Sequence, residues 1–132
     1  MSAEISKAII NAHNKVQKRI GIALSAHGIG ISEYMVMAEL FGSSHQSMRR
    51  VDLAERVGLS PSGITRLLNP MEKIGLITKE SNPRDARVSL VAMTEAGKQI
   101  FNESQITFER ESDLLFGKLS KPDTAKLCEL LK

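Results

Sequence analysis

Leu53-Ala54-Glu55-Arg56-Val57-Gly58 runs straight into Leu59-Ser60-Pro61-Ser62-Gly63-Ile64-Thr65-Arg66-Leu67-Leu68, and the reading of this stretch decides the fold. The first segment is a short amphipathic helix that Gly58 stops. Leu59-Ser60-Pro61 then supplies a buried turn residue, an N-cap and a proline for the first helical position, so a second helix begins at Pro61. At about 100° per residue, positions 61–74 place Ser62, Thr65, Arg66, Asn69 and Lys73 on one face and Ile64, Leu67, Leu68 and Met71 on the other.

The polar face carries hydroxyls, a guanidinium and an amide, where an ordinary solvated helix would carry Glu and Lys. Those are the groups that hydrogen-bond phosphates and base edges in a major groove. After Gly75 the pattern becomes strand: Leu76-Ile77-Thr78-Lys79-Glu80 goes up and Val88-Ser89-Leu90-Val91-Ala92-Met93 returns, around a loop from Ser81 to Arg87 in which Asn82 and Pro83 mark the reversal. A solvated hairpin tip can carry arginines without purpose. A tip beside a recognition helix instead sets Arg84 and Arg87 against backbone and minor groove, where arginine is favoured. Helix, tight turn, helix, strand, basic loop and strand together read as a winged helix-turn-helix.

These segments, with Met71-Glu72-Lys73-Ile74-Gly75-Leu76-Ile77, Asp85-Ala86-Arg87 and Thr94-Glu95-Ala96-Gly97, resemble the multiple antibiotic resistance regulator (MarR) family of bacterial winged-helix transcriptional regulators. The wing pattern Asp-x-Arg followed by Thr-Glu-x-Gly is the more specific part, since the Leu-Ala-x-x-x-Gly-Leu-Ser turn recurs in many helix-turn-helix families. Ile29 to Leu40 is similar to the family's second helix, and Leu119-Ser120-Lys121-Pro122-Asp123 to the start of its last one. The expected DNA-contacting set is Ser60, Ser62, Gly63, Thr65, Arg66, Asn69, Lys73, Arg84, Asp85 and Arg87.

Three positions depart from the pattern. Val51 stands where a Ser or Thr would cap the first helix of the motif, and Gly30 where the second helix often has a Thr. Pro70 falls inside the recognition helix, where it lacks a donor for the Arg66 carbonyl and crowds it, at about 3 kcal/mol in a regular helix. Asn69-Pro70-Met71-Glu72 reads as a capping-box-like restart, which predicts a kinked or two-part helix.

Bulk properties agree with a small regulator. The chain has 132 residues, 42% hydrophobic and 25% charged, enough for one domain with a core. Its formal charge of +3 equals the surplus between Arg49 and Arg87, where eight basic side chains face five acidic ones. The charge lies on the motif, which suits a polyanion. The single cysteine, Cys128, excludes an internal disulfide framework and, beside leucines, suits burial or an interface better than redox sensing. No apolar run reaches the ~20 residues of a membrane span, and the N-terminus lacks a charged-then-apolar signal pattern. A cytoplasmic protein is expected. Gly42 to Ser47 reads as a loop.

The flanks hold more helix than a winged-helix head needs. Ile5, Ala8, Ile9, Ala12, Val16, Ile20 and Ala23 line a first helix, Ser32 to Leu40 continues helically, Thr94 caps a segment carrying Ile100, Phe101, Phe108, Leu114, Leu115 and Leu119, and Ala125, Leu127, Leu130 and Leu131 line the last helix. The surplus suits a homodimer interface, and the resemblance implies the same. The alternative is that the end helices fold back on their own head. The expected fold is thus mostly α with a small β-hairpin wing, one domain over 1–132 in which 30–94 form the winged helix-turn-helix and 1–29 and 95–132 the dimerisation helices. Two recognition helices about 34 Å apart would meet successive major grooves of double-stranded DNA at a near-palindromic site. A cleft between helical base and head, with His13, Tyr34, Met35 and Met37 nearby, suits an aromatic or lipophilic effector.

Other function classes fare badly. His13, His27 and His45 lie in separate segments, no Gly-rich phosphate loop precedes a helix, and no nucleophile sits in a recognisable acid-base setting, which argues against an enzyme and implies no cofactor. Metal sensing lacks any short-spaced His or Cys pair. A winged helix that binds only protein leaves the wing arginines and the hydroxyl-rich face without a purpose. The reading is a DNA-binding transcriptional regulator, with repression favoured because promoter occlusion needs no activation surface.

Overall fold

The computed structural model describes residues 1–132, Ala86 by its backbone alone. The elements run α1 (Ser2–Ser25), α2 (Ile31–Phe41), a 3₁₀ turn (Ser44–Gln46), β1 (Ser47–Arg49), α3 (Arg50–Val57), α4 (Pro61–Lys73), β2 (Ile77–Asn82), β3 (Asp85–Met93), α5 (Glu95–Phe116) and α6 (Lys121–Leu131). The fold is mostly α with a small antiparallel sheet ordered β1-β3-β2. Expected end signals act where the sequence places them. The side chains of Ser60, Thr94 and Ser120 accept hydrogen bonds from the backbone N–H groups of Gly63, Gly97 and Asp123 and cap α4, α5 and α6. At Gly30 the Glu33 carboxylate accepts the backbone N–H at 2.7 Å, so half of a capping box forms without a hydroxyl.

Four expectations change. The stretch 42–47 is not all loop: it holds the 3₁₀ turn and the first residue of β1, a third strand that pairs Ser47 with Ala92 and Met48 with Val91. Three residues are too few for a period-two pattern to be visible; β1 exists because the free edge of β3 offers a hydrogen-bonding ladder. The wing strands are longer than read, because the turn is only Pro83 and Arg84. Register jumps from Ser81↔Ser89 to Asn82↔Asp85, which leaves 86–88 of β3 without partners on β2 as a bulge. Arg49, not Val51, occupies the N-cap of α3, and it caps without a side-chain hydrogen bond.

The fourth change concerns Pro70. α4 is one continuous helix, not two, and the Asn69 side chain forms no capping hydrogen bond among the described residues. Arg66, Asn69 and Pro70 are all exposed. Water can therefore solvate the carbonyl that Pro70 leaves without a donor, and the restart is not needed. Pro70→Ala restores that hydrogen bond and is expected to stabilise the protein by about 2 kcal/mol, the helix gain less the entropy returned to the unfolded chain. Urea unfolding measures this; no gain would show that the proline already fits its place.

The core lies where the head meets α1, α2 and α5. Leu24, Val36, Met37, Leu40, Leu53 and Ile64 are fully buried, and Leu68, Met71, Leu76, Val91 and Phe101 close it around α4, the sheet and α5. α1 packs along α5, tied at one point by Arg19 Nε to Glu111 Oε2 at 2.9 Å. By contrast every residue of α6 is exposed, so this helix does not fold back on its own head.

The joint between α4 and α5 is tight. The Thr94 hydroxyl reaches the carbonyls of Gly75 and Leu76, while its oxygen accepts the Gly97 N–H at 3.0 Å. A Cβ on Gly97 would stand 2.1 Å from the Leu76 carbonyl oxygen. The Thr-Glu-x-Gly signature is thus a cap followed by a close backbone approach, and it fixes where α4 ends relative to α5.

Candidate nucleic-acid interface

The turn between α3 and α4 rests on Gly58, which adopts φ 73° and ψ 33°, a left-handed conformation that costs a residue with a Cβ. Leu59 donates its N–H back to the Ala54 carbonyl at 2.9 Å. Its side chain is 37% exposed rather than buried as expected, because it borders a cleft. At the start of α4, Ser60 Oγ accepts from the Gly63 N–H at 3.1 Å and lies 3.3 Å from Ser62 Oγ. A Cβ on Gly63 would sit 3.1 Å from that same Ser60 oxygen. Gly63 leaves room for the cap, and the turn presents the positive end of a helix dipole outward.

Ser62, Arg66, Asn69 and Lys73 are exposed on one face of α4, as the periodicity requires, while Thr65 is half-buried. Thr65 is also engaged: its hydroxyl donates to the Pro61 carbonyl at 3.0 Å and accepts from Arg50 Nη1 at 2.7 Å. In the sequence Arg50 is only one charge among eight. No local pattern links two side chains fifteen positions apart.

In the wing, the Asn82 side chain accepts the Arg84 N–H at 2.9 Å and holds the two-residue turn. Asp85 Oδ1 accepts both the Arg87 N–H at 3.0 Å and Arg87 Nε at 3.2 Å. An acidic side chain repels phosphate, so Asp85 is placed to aim Arg87, whose side chain remains 91% exposed. Elsewhere Arg49, Arg56 and Lys79 face Asp52, Glu39 and Glu72. Among the described residues Arg50, Arg66, Lys73 and Arg84 have no carboxylate within 4.0 Å. Between Arg49 and Arg87 the positive charge without a carboxylate partner therefore lies on α4, the start of α3 and the wing tip.

The model of the MarR family matches residues 31–89, which run from the start of α2 through the bulge of the wing. Over that stretch the chain is similar to the MarR family. Among its relatives, the uncharacterized HTH-type transcriptional regulator YhbI of Bacillus subtilis is 26% identical over 129 residues, 98% of this chain and 79% of that protein. The chain spans about half, 53%, of another relative, the Escherichia coli regulator PrsX, at 27% identity over 88 residues. A mutant MarR from E. coli complexed with operator DNA superposes with TM-score 0.86 at 22% identity, covering 97% of this chain and 91% of that one. CouR from Rhodococcus jostii bound to p-coumaroyl-CoA reaches TM-score 0.90 at 22% identity, covering 98% and 90%. These likenesses show a MarR-type winged-helix fold, and the relatives named above are HTH-type transcriptional regulators.

The expected effector residues separate in the structure. His13 is exposed, with Nε2 3.4 Å from Gln17 Nε2, and shares a cleft of about 230 Å³ with Met35, Ile31, Val57, Leu59 and Leu67. Tyr34 and Met37 do not reach it. Met37 is fully buried, and Tyr34 stacks on Phe108 with centroids 4.3 Å apart. Adjacent positions on α2 point about 100° apart, so a run of Tyr, Met and Met cannot all face one cleft. Burial, and then the Glu109 carboxylate, push the Tyr34 phenol above its usual pKa, so it stays neutral in its aromatic stack. Cys128 is exposed rather than buried within its own chain. No helix of the described residues is long and apolar enough to cross a membrane.

Proposed function

We propose that this protein represses transcription by binding, as a homodimer, a near-palindromic operator, and that a small aromatic or lipophilic molecule releases it. The observation that carries the DNA reading is where the cations of the head that lack carboxylate partners lie: Arg66 and Lys73 on the exposed face of α4, Arg50 at the start of α3 and Arg84 at the wing tip. In this reading Ser62, Thr65, Arg66 and Asn69 meet base edges and phosphates, Ser60 and Gly63 set the helix N-terminus on the backbone, Lys73 adds charge, and Arg84 with the Asp85-aimed Arg87 enters the flanking minor groove.

The dimer is supported by what the chain leaves uncovered. Leu127, Leu130 and Leu131 on α6 are 45%, 71% and 60% exposed, and Ile5, Ile9 and Ile10 on α1 and Leu114 on α5 are similarly open. Apolar residues left bare on three helices call for a second copy. Repression is the economical sign, since an occupied operator excludes polymerase without a further surface. The protein assembles and acts in the cytoplasm, where its DNA is.

Selection of bound duplexes from a random library by the purified protein tests this reading. The expected result is an enriched inverted repeat with half-sites about one helical turn apart; an asymmetric or absent motif would overturn it. The effector reading rests on the His13–Met35 cleft, which lies between α1 and the turn that leads into α4. A ligand there is expected to weaken operator binding about 5- to 150-fold, a coupling of ~1 to 3 kcal/mol. A screen of phenolic and lipophilic compounds that shifts neither thermal stability nor operator affinity would remove it.

A further inference from the structure

Arg50 opens α3, yet its guanidinium acts on α4. Nη1 stands 2.7 Å from Thr65 Oγ1, and that same oxygen stands 3.0 Å from the Pro61 carbonyl. A guanidinium only donates and a carbonyl only accepts, whereas a hydroxyl has one proton and two lone pairs. The proton of Thr65 must therefore point at Pro61, and one lone pair is taken by Arg50. What Thr65 has left is one lone pair and a methyl group, and no donor.

That limits what it can read. Guanine O6 and N7 and thymine O4 are acceptors in the major groove, and this hydroxyl has no proton for them. Adenine N6 and cytosine N4 carry amino protons that the free lone pair can accept, and the methyl can pack on a thymine methyl. The arrangement is also held. Val51, Ala54, Pro61 and Ile64 line an apolar cleft of about 210 Å³ beside Arg50. Arg50 has no carboxylate within 4.0 Å and keeps further N–H donors for a phosphate.

We infer that Arg50 is a specificity-determining residue of the DNA interface, which withdraws the Thr65 hydroxyl proton from the groove and so rejects acceptor-only base edges beneath Thr65. The inference rests on α4 being the recognition helix. A tie between α3 and α4 that serves only the fold would use the same 2.7 Å contact, so the test must read base preference rather than affinity alone.

Random-duplex selection and salt titrations are carried out with the wild-type chain and with Arg50→Met, Arg50→Lys and Thr65→Val, each first checked by circular dichroism. One column of each wild-type half-site is expected to discriminate against guanine by about fivefold or more, the effect of a single mismatch. In Arg50→Met that column should relax to under about twofold while the others hold, and the salt slope should fall by roughly one per half-site. Arg50→Lys, which keeps charge but not the planar fork, should retain the slope and relax the column in part. Thr65→Val has no proton to release, so adding Arg50→Met to it should change the slope and not the column. An unchanged motif in both Arg50 variants, with uniform loss of affinity, overturns the inference and leaves Arg50 a phosphate clamp. Failure of the wild-type protein to enrich any motif overturns the DNA reading, and the inference with it.

Discussion

Gly97→Ala is expected to lower stability by about 3 kcal/mol or more and the melting temperature by roughly 10 °C, at the upper end of what overpacking costs. The added Cβ would lie 2.1 Å from the Leu76 oxygen and 3.1 Å from its carbonyl carbon. A clash with a flexible side chain can be relieved by a rotamer change. This one is with backbone, and that backbone is held on both sides: the Leu76 N–H donates to the Met71 carbonyl near the end of α4, and the Leu76 carbonyl accepts from the Thr94 N–H. Relief would have to slide α5 away from the end of the recognition helix and loosen the Thr94 cap. Removing the cap hydroxyl alone, in Thr94→Val, should cost only about 1 kcal/mol, so urea unfolding of the two variants separates approach from capping. A loss for Gly97→Ala no larger than that of Thr94→Val would show that the first turn of α5 shifts freely.

What can be read from sequence follows from how local each cause is. Ser60-Pro61 and Thr94-Glu95 are caps whose partners lie three residues on, and the α4 face is a periodicity within one helix, so the winged helix-turn-helix and its exposed polar residues are legible. The same holds for the bare apolar stripe of α6. The misses at β1 and Arg50 involve partners distant in the chain. β1 exists only because β3, more than forty residues later, lends it an edge. Arg50 finds Thr65 across the turn, and Pro70 is accommodated within a continuous α4 because its side of the helix meets water, a fact about tertiary environment rather than about the residues beside it. Nearness in sequence to Met35 suggests a cleft for Tyr34 and Met37, but helical geometry sends them to the core. The wing motif groups Asp85 with the DNA-contacting residues, whereas its hydrogen bonds run to Arg87, which turns the pair into one aimed cation.

That aimed cation and Arg66 should fail in different ways when removed. Arg66 stands on the exposed face of α4, in its first half and without a carboxylate to hold it, so its fork is free for the two acceptors of a guanine. Arg66→Ala is expected to cost about 1 to 3 kcal/mol per half-site on the selected operator, felt twice in a dimer, and little on random DNA. Arg87 is committed through Nε to Asp85 and offers only the outer edge of its guanidinium, at a wing tip where groove width and potential matter more than base identity. Arg87→Ala should weaken operator and scrambled duplexes alike and reduce the salt slope by about one per half-site. Titrations of both variants against both duplexes at two salt concentrations measure the four losses. Equal losses on the two DNAs for Arg66→Ala would remove it from base reading and make it a second phosphate clamp, leaving Ser62, Thr65 and Asn69 as the groups on α4 able to tell one base from another.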